Sequence, residues 1–225
     1  MKTPEQAESA WGVPSKYEAR WPAQLAVVAA VTLQLLLPNR LTLGSHWVVP
    51  ALELALLIPL TIITPMRHLR EAPLTRAVAL MLIAIVNVAN VASLLLLVRA
   101  LLAPQSKETG EELLISAVNI WLTNVIVFGL WYWELDRGGP VARSRAQHPK
   151  PDFLFPQMVT PACGPNWAPG FVDYLFVSFT NATAFSPTDT MPLTAWAKML
   201  FLVQALISLL TVALVAARAV NILGS

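Results

Sequence analysis

Three long apolar runs constrain this chain more than any other feature: Leu74–Leu102, Leu113–Trp133 and Leu193 to about Leu223. A hydrocarbon core about 30 Å thick needs roughly 20 helical residues at 1.5 Å each, and all three runs reach that length. Two further apolar stretches, Trp21–Leu37 and Trp47–Thr64, are marginal. Pro38 ends the first, and Pro50, Glu53 and Pro59 interrupt the second. Such spans cross by tilting, kinking or thinning the bilayer. Only 12% of the 225 residues are charged and 56% are hydrophobic. A soluble domain carries about 25% charged residues. The sequence therefore predicts an all-α integral membrane protein with five transmembrane helices.

Trp21, Trp47, Trp131, Trp133 and Trp196 fall at predicted span ends, the pattern of an interfacial aromatic belt. Eleven of the fifteen Lys and Arg residues lie in the N-terminal tail, the 65–76 loop and the 135–198 region; Arg40, Arg99, Lys107 and Arg218 lie on the other side. The positive-inside rule then predicts a cytoplasmic N-terminus and, with five spans, an external C-terminus. Residues 1–20 are polar and mixed in charge, which predicts no cleaved leader. The net charge of +2 gives no reason to expect nucleic acid, because the basic residues are spread between apolar segments. A single cysteine, Cys163, rules out an intramolecular disulfide. His46, His68 and His148 are scattered and predict no metal site. No phosphate-cradling loop, serine triad or CxxC is present, so neither an enzyme nor a cofactor is expected.

The chain divides into 1–112, a tail with three spans, and 113–225. The latter holds a helix, a linker rich in proline and glycine (135–170), and the segment "FVDYLFVSFTNATAFSPTDTMPLTAWAKML" at 171–200. An amphiphilic stretch there turns through a polar, proline-bearing link straight into a membrane-length helix. That layout predicts a re-entrant, pore-loop-like hairpin before the last helix. Non-helical backbone at membrane depth is tolerated only where protein buries it or it lines a watery cavity.

"DTMPLTAWAK" resembles the "GD-x-x-P-x-T-x-W-G-R" that follows the selectivity filter in the tetrameric potassium-channel family. Asp189, Pro192, Thr194, Trp196 and Lys198 fall in register with it. "FVSFTNATAF" stands where that family has its pore helix. The resemblance implies an outer helix, pore loop and inner helix, with Pro192, Thr194, Trp196 and Lys198 as loop support. It also implies Asp189 as a clasp on the pore helix; Asp189 facing the pore is the other reading. "WYWELDRGGP", "PDFLFPQM" and "NATAFSPTDTMPL" resemble an uncharacterised bacterial integral-membrane family, which implies the bacterial inner membrane and no particular activity.

The filter position departs from the channel pattern. The ion path would run through Thr183, Ala184, Phe185, Ser186, Pro187, Thr188 and Asp189. No glycine is there to take positive φ, and Pro187 fixes φ near −65°. Side chains of Ser186, Thr188 and Asp189, repeated around an axis, are the better candidates for ion contacts.

Polar residues inside the spans are Glu53, Asn87, Asn90, Asn119, Asn124 and Gln204. Amides in spans usually hydrogen-bond neighbouring helices. Glu53 has two readings of equal weight: a functional carboxyl, or a protonated or amide-paired structural one. The linker is expected to lack helix and sheet, with Phe153–Phe155 and Trp167 on the membrane surface and Arg137 reaching headgroups. The expected function is a channel-like protein in the lipid bilayer. It would be a homo-oligomer, a tetramer by preference, passing monovalent cations with weak selectivity. The alternative is a non-conducting scaffold or accessory subunit with the same loop.

Overall fold

The computed structural model describes residues 21–42, 47, 50–55, 73–102, 109–143, 150–160, 167–183 and 189–223. The chain is mostly helical. Five helices organise it: α1 (Trp21–Leu35), α2 (Pro73–Leu102), α3 (Gly110–Leu135), α4 (Phe171–Thr183) and α5 (Ala195–Leu223). Three of them, α2, α3 and α5, are long and apolar enough to cross a membrane. At 15 residues α1 is shorter than a full crossing. Of the expected second span, Trp47 and the helical residues 50–55 are described, and the rest lies outside the described residues.

The helix α3 is the axle of the fold, and α1, α2, α4 and α5 all pack on it. Its start is set by a capping box: Thr109 Oγ1 accepts from the Glu112 N–H at 3.2 Å, and Glu112 Oε2 accepts from the Thr109 N–H at 2.9 Å. Glu111 and Glu112 also sit in the first turn, where negative charge complements the helix dipole. Its end is set by three successive residues at positive φ: Arg137 (52°), Gly138 (80°) and Gly139 (95°). A Cβ on Gly139 would stand 2.9 Å from the Glu134 carbonyl oxygen, so only glycine fits that turn. Gly129 serves packing instead, since a Cβ there would press on the Leu175 backbone at 3.2 Å.

The helices α4 and α5 start at the same end of α3 and run along it in the same direction. Phe171 packs on Trp133 with ring centroids 5.9 Å apart, and further down α4 Phe179 packs on Trp121 at 5.8 Å. Along α5, Phe201 meets Tyr132 at 5.0 Å, and Ser208 accepts a hydrogen bond from Asn124 at 3.0 Å. At 13 residues α4 is about 20 Å long, well short of a crossing.

The linker departs from its expected form. It contains short helices at Pro140–Arg143 and Pro156–Val159 and a two-residue strand, β1 (Phe153–Leu154). β1 pairs antiparallel with β2 (Met191–Pro192), matching Phe153 to Pro192 and Leu154 to Met191. Phe153, Phe155 and Met158 are buried in the main core rather than lying on a surface, and Trp167 is half-buried against Phe155. The cause is aromatic packing: Phe153 lies within 5.3–6.2 Å of Tyr132, Tyr174, Trp196 and Phe201. A linker carrying that much apolar area does better under the helices than on top of them.

Candidate functional site

Where α3 ends, two aspartates tie the C-terminal half together. Asp136, the C-cap of α3, is fully buried. Its Oδ2 accepts from the Tyr174 hydroxyl of α4 at 2.5 Å, and its Oδ1 accepts from the Asp152 N–H at 2.9 Å. Asp152 passes the connection onward. Its Oδ2 accepts from the Arg137 N–H at 2.9 Å, and its Oδ1 accepts from Thr194 Oγ1 and from Trp196 Nε1, both at 2.9 Å. The Leu193 N–H donates to the Asp152 carbonyl at 2.8 Å. The end of α3, the linker, the first turn of α4 and the start of α5 are thus held by one hydrogen-bonded chain.

Arginines balance the charge. Arg137 Nε lies 3.6 Å from Asp136 Oδ2, and its Nη2 points at the Met158 sulfur at 3.7 Å. Arg137 is 4% exposed, so it does not reach out to headgroups as expected; the Asp136 carboxylate keeps it inside. Arg143 donates to the Trp133 and Asp136 carbonyls at 2.6 and 2.9 Å and covers the Tyr174 ring at 5.1 Å from its centroid. Those carbonyls are among the last of α3, which a cation suits. Nearby, Arg76 of α2 comes within 4.0 Å of Glu134.

Deeper along the helices lies a second polar group built from amides and hydroxyls. Gln204 of α5 is fully buried. Its Oε1 accepts from the Tyr132 hydroxyl at 2.5 Å and from the Asn181 amide at 2.8 Å, while its Nε2 donates to the Ser178 carbonyl at 2.9 Å and to Ser178 Oγ at 2.7 Å. Ser178 Oγ in turn donates to the Val125 carbonyl at 2.6 Å. Asn181 also donates to the Phe201 carbonyl at 3.1 Å. A turn and more further along, Asn124 donates to Ser208. At the head of α4, Asp173 accepts from the Gly170 N–H at 2.8 Å; burial raises its carboxyl above the ordinary range, against that hydrogen bond.

Thr194 and Trp196 share one acceptor at the start of α5, and Pro192 lies in β2. Their acceptor is Asp152, forty-four residues from Trp196, and not Asp189. Asp189 is exposed, and no hydrogen bond joins it to a described residue. Lys198 is exposed on α5. Thr183 closes α4 by donating to the Thr180 carbonyl at 2.9 Å. Ala184, Phe185, Ser186, Pro187 and Thr188 lie outside the described residues. Gln204 and Asn124 join helices as amides in spans do, and Asn119 is buried on α3. Asn90 is buried and Asn87 half-buried on α2. Sequence reasoning missed Asp152, Tyr132, Tyr174, Ser178 and Ser208. No local pattern marks them, because every partner is distant in sequence. Among the described residues no cluster of His, Cys, Asp or Glu could hold a metal. No family model, curated protein or solved structure matches the chain.

Proposed function

We propose that the chain is a channel-like membrane protein whose residues 113–225 form a pore module: outer helix α3, re-entrant hairpin from α4 to residue 194, inner helix α5. The observation that carries this reading is the common starting end of α4 and α5. A helix about 20 Å long enters beside α3, and the chain must come back to the Asp152 end before α5 begins. The eleven residues 184–194 reach that far when extended at about 3.3 Å each. An entering helix, a returning segment and a helix long enough to cross are the parts of a pore loop, and the likeness of Asp189–Lys198 to the potassium-channel family begins on the return.

In this reading the protein spans a bacterial inner membrane five times with its N-terminus in the cytoplasm. Copies assemble around an axis lined by α5 and the hairpin, as a tetramer by preference, because one last helix and one hairpin cannot enclose a path. Thr183 to Asp189 line the narrowest part and pass monovalent cations with little preference, since that stretch has no glycine to orient carbonyls. One observation favours the alternative of a non-conducting scaffold or accessory subunit. The polar stripe of α5 (Gln204, Ser208 and Thr211) is buried inside its own chain, which leaves apolar faces outward.

The test is purified protein in liposomes, with particle symmetry viewed in detergent. Rotational symmetry and cation flux are expected. A symmetric particle with no flux leaves the scaffold standing, and a monomer ends the channel reading.

A further inference from the structure

Outside the pore-module region, one buried carboxyl has a partner able to respond to its charge. Glu53 is 0% exposed, while its neighbours Leu52 and Leu54 face outward at 47% and 41%. Its side chain therefore points into the bundle, toward Gln34 of α1. The Gln34 amide fits two orientations there. With nitrogen toward Glu53, it donates to both carboxylate oxygens at 3.0 and 3.3 Å. With oxygen toward Glu53, the nitrogen donates instead to the Val86 carbonyl of α2 at 3.4 Å.

These two orientations call for different protonation states. An ionised carboxylate only accepts hydrogen bonds, so an amide oxygen facing it is repelled. A protonated carboxyl has an O–H to give, and the amide oxygen is then its acceptor. We propose that Glu53 and Gln34 form a proton-binding site between α1, the 50–55 helix and α2, in which the Gln34 amide turns as the proton comes and goes. On binding, the proton forms an O–H bond on a Glu53 carboxylate oxygen. That O–H donates to Gln34 Oε1, and Gln34 Nε2 leaves the carboxylate for the Val86 carbonyl. On release, the amide turns back.

Among the described residues, no other titratable or charged group faces the pair. Between Trp21 and Leu35, α1 has no charged side chain. The charges of α2 are Arg76 and Arg99, ten residues before and thirteen after Val86, so they lie about 15 and 20 Å away along the helix. Arg40, in the turn after α1, is exposed. Among the described residues, Gln34 is the polar side chain that hydrogen-bonds the Glu53 carboxyl. The site is independent of the pore-module reading, because no residue of α3, α4 or α5 takes part.

The experiment is infrared difference spectroscopy of the full-length protein in lipid nanodiscs, stepped through pH. The wild type is expected to show a protonated-carboxyl C=O band that titrates, and Glu53→Gln is expected to lose that one band. Glu53→Gln keeps the shape of the side chain, and Gln34→Leu serves as a second variant if it fails to fold. In Gln34→Leu the band should move to the higher wavenumber of a carboxyl without a hydrogen-bond partner. An unchanged set of bands in Glu53→Gln overturns the proton site. A band that Gln34→Leu leaves in place overturns the amide's part in it.

Discussion

The helices α3 and α5 have similar apolar content and opposite surroundings. In α3, 67% of the membrane-length stretch is buried within the chain, against 17% in α5. The central helix is surrounded by its own protein. The last helix spends one narrow stripe on contacts, and that stripe holds Ala197, Gln204, Ser208 and Thr211. Its remaining faces show Leu202, Leu206, Leu209 and Leu210 to the outside. Polar groups inside and leucine outside is the reverse of a water-soluble helix, and it suits a lipid or a protein neighbour. The contrast teaches that α5 is held by a few directional bonds, where α3 is held by enclosure. Its attachment should therefore fail at single residues.

The largest effect is expected at Asp136, where enclosure and directional bonds meet. Asp136→Ala leaves the Tyr174 hydroxyl and the Asp152 N–H buried without this acceptor and the Arg137 guanidinium without its counter-charge. Removing one partner of a buried ion pair costs about 3–5 kcal/mol. Thermal unfolding in detergent should show the largest drop of any single change discussed here. A small drop would mean that water enters this end of the molecule.

How much of this arrangement could be read from the sequence depends on the range of the forces involved. The helices α2, α3 and α5 announce themselves, because an apolar run of membrane length is a local property. The stop after Asp136 was also legible from Gly138 and Gly139. Thr194 and Trp196 stood out only through their register with the channel pattern. Their acceptor did not stand out, because Asp152 is set by folding across more than forty positions and sits among prolines that read as loop. Phe153 misled for the same reason: two strand residues suffice to bury it once β2 lies beside it. Glu53 stood out as a charge among apolar residues, whereas Gln34, its partner, looked like any amide near a span end.

Asp152 and Asp189 sharpen the contrast between held and free positions around the start of α5. Asp152→Ala removes the acceptor of Trp196 Nε1, Thr194 Oγ1 and the Arg137 N–H, and leaving buried donors unpaired costs about 1–3 kcal/mol. Asp189→Ala changes an exposed side chain and should stay within about 0.5 kcal/mol of wild type. Melts of both variants in one detergent compare them directly. Equal losses would return the clasp to Asp189.

Within α5 the same comparison can be made two residues apart. Gln204→Leu strips partners from Tyr132, Asn181 and Ser178, and should cost about 1–3 kcal/mol. Leu206→Ala, on a face 57% exposed, should cost about 0.5 kcal/mol or less in an isolated chain. If Leu206→Ala destabilises as much as Gln204→Leu, the outward face of α5 is packed on another copy, and the 17% figure describes only the single chain.

The weakest directional bond of α5 tests whether such bonds still matter toward its far part. Asn124 of α3 donates to Ser208 of α5 at 3.0 Å, both residues being buried. Single substitutions mix the loss of this bond with changes in packing, so the pair calls for a double-mutant cycle: Asn124→Ala, Ser208→Ala and both together. Side-chain hydrogen bonds between membrane helices average about 0.6 kcal/mol, with about 1.7 at the upper end, because the separated helices find other partners in the bilayer. The coupling should fall in that range, below the cost of losing Gln204, which joins three residues rather than one. A coupling near zero would confine the directional attachment of α5 to its first three turns. A coupling as large as the Gln204 effect would mean that α5 is held evenly along its stripe, and the contrast with α3 would then be one of area alone.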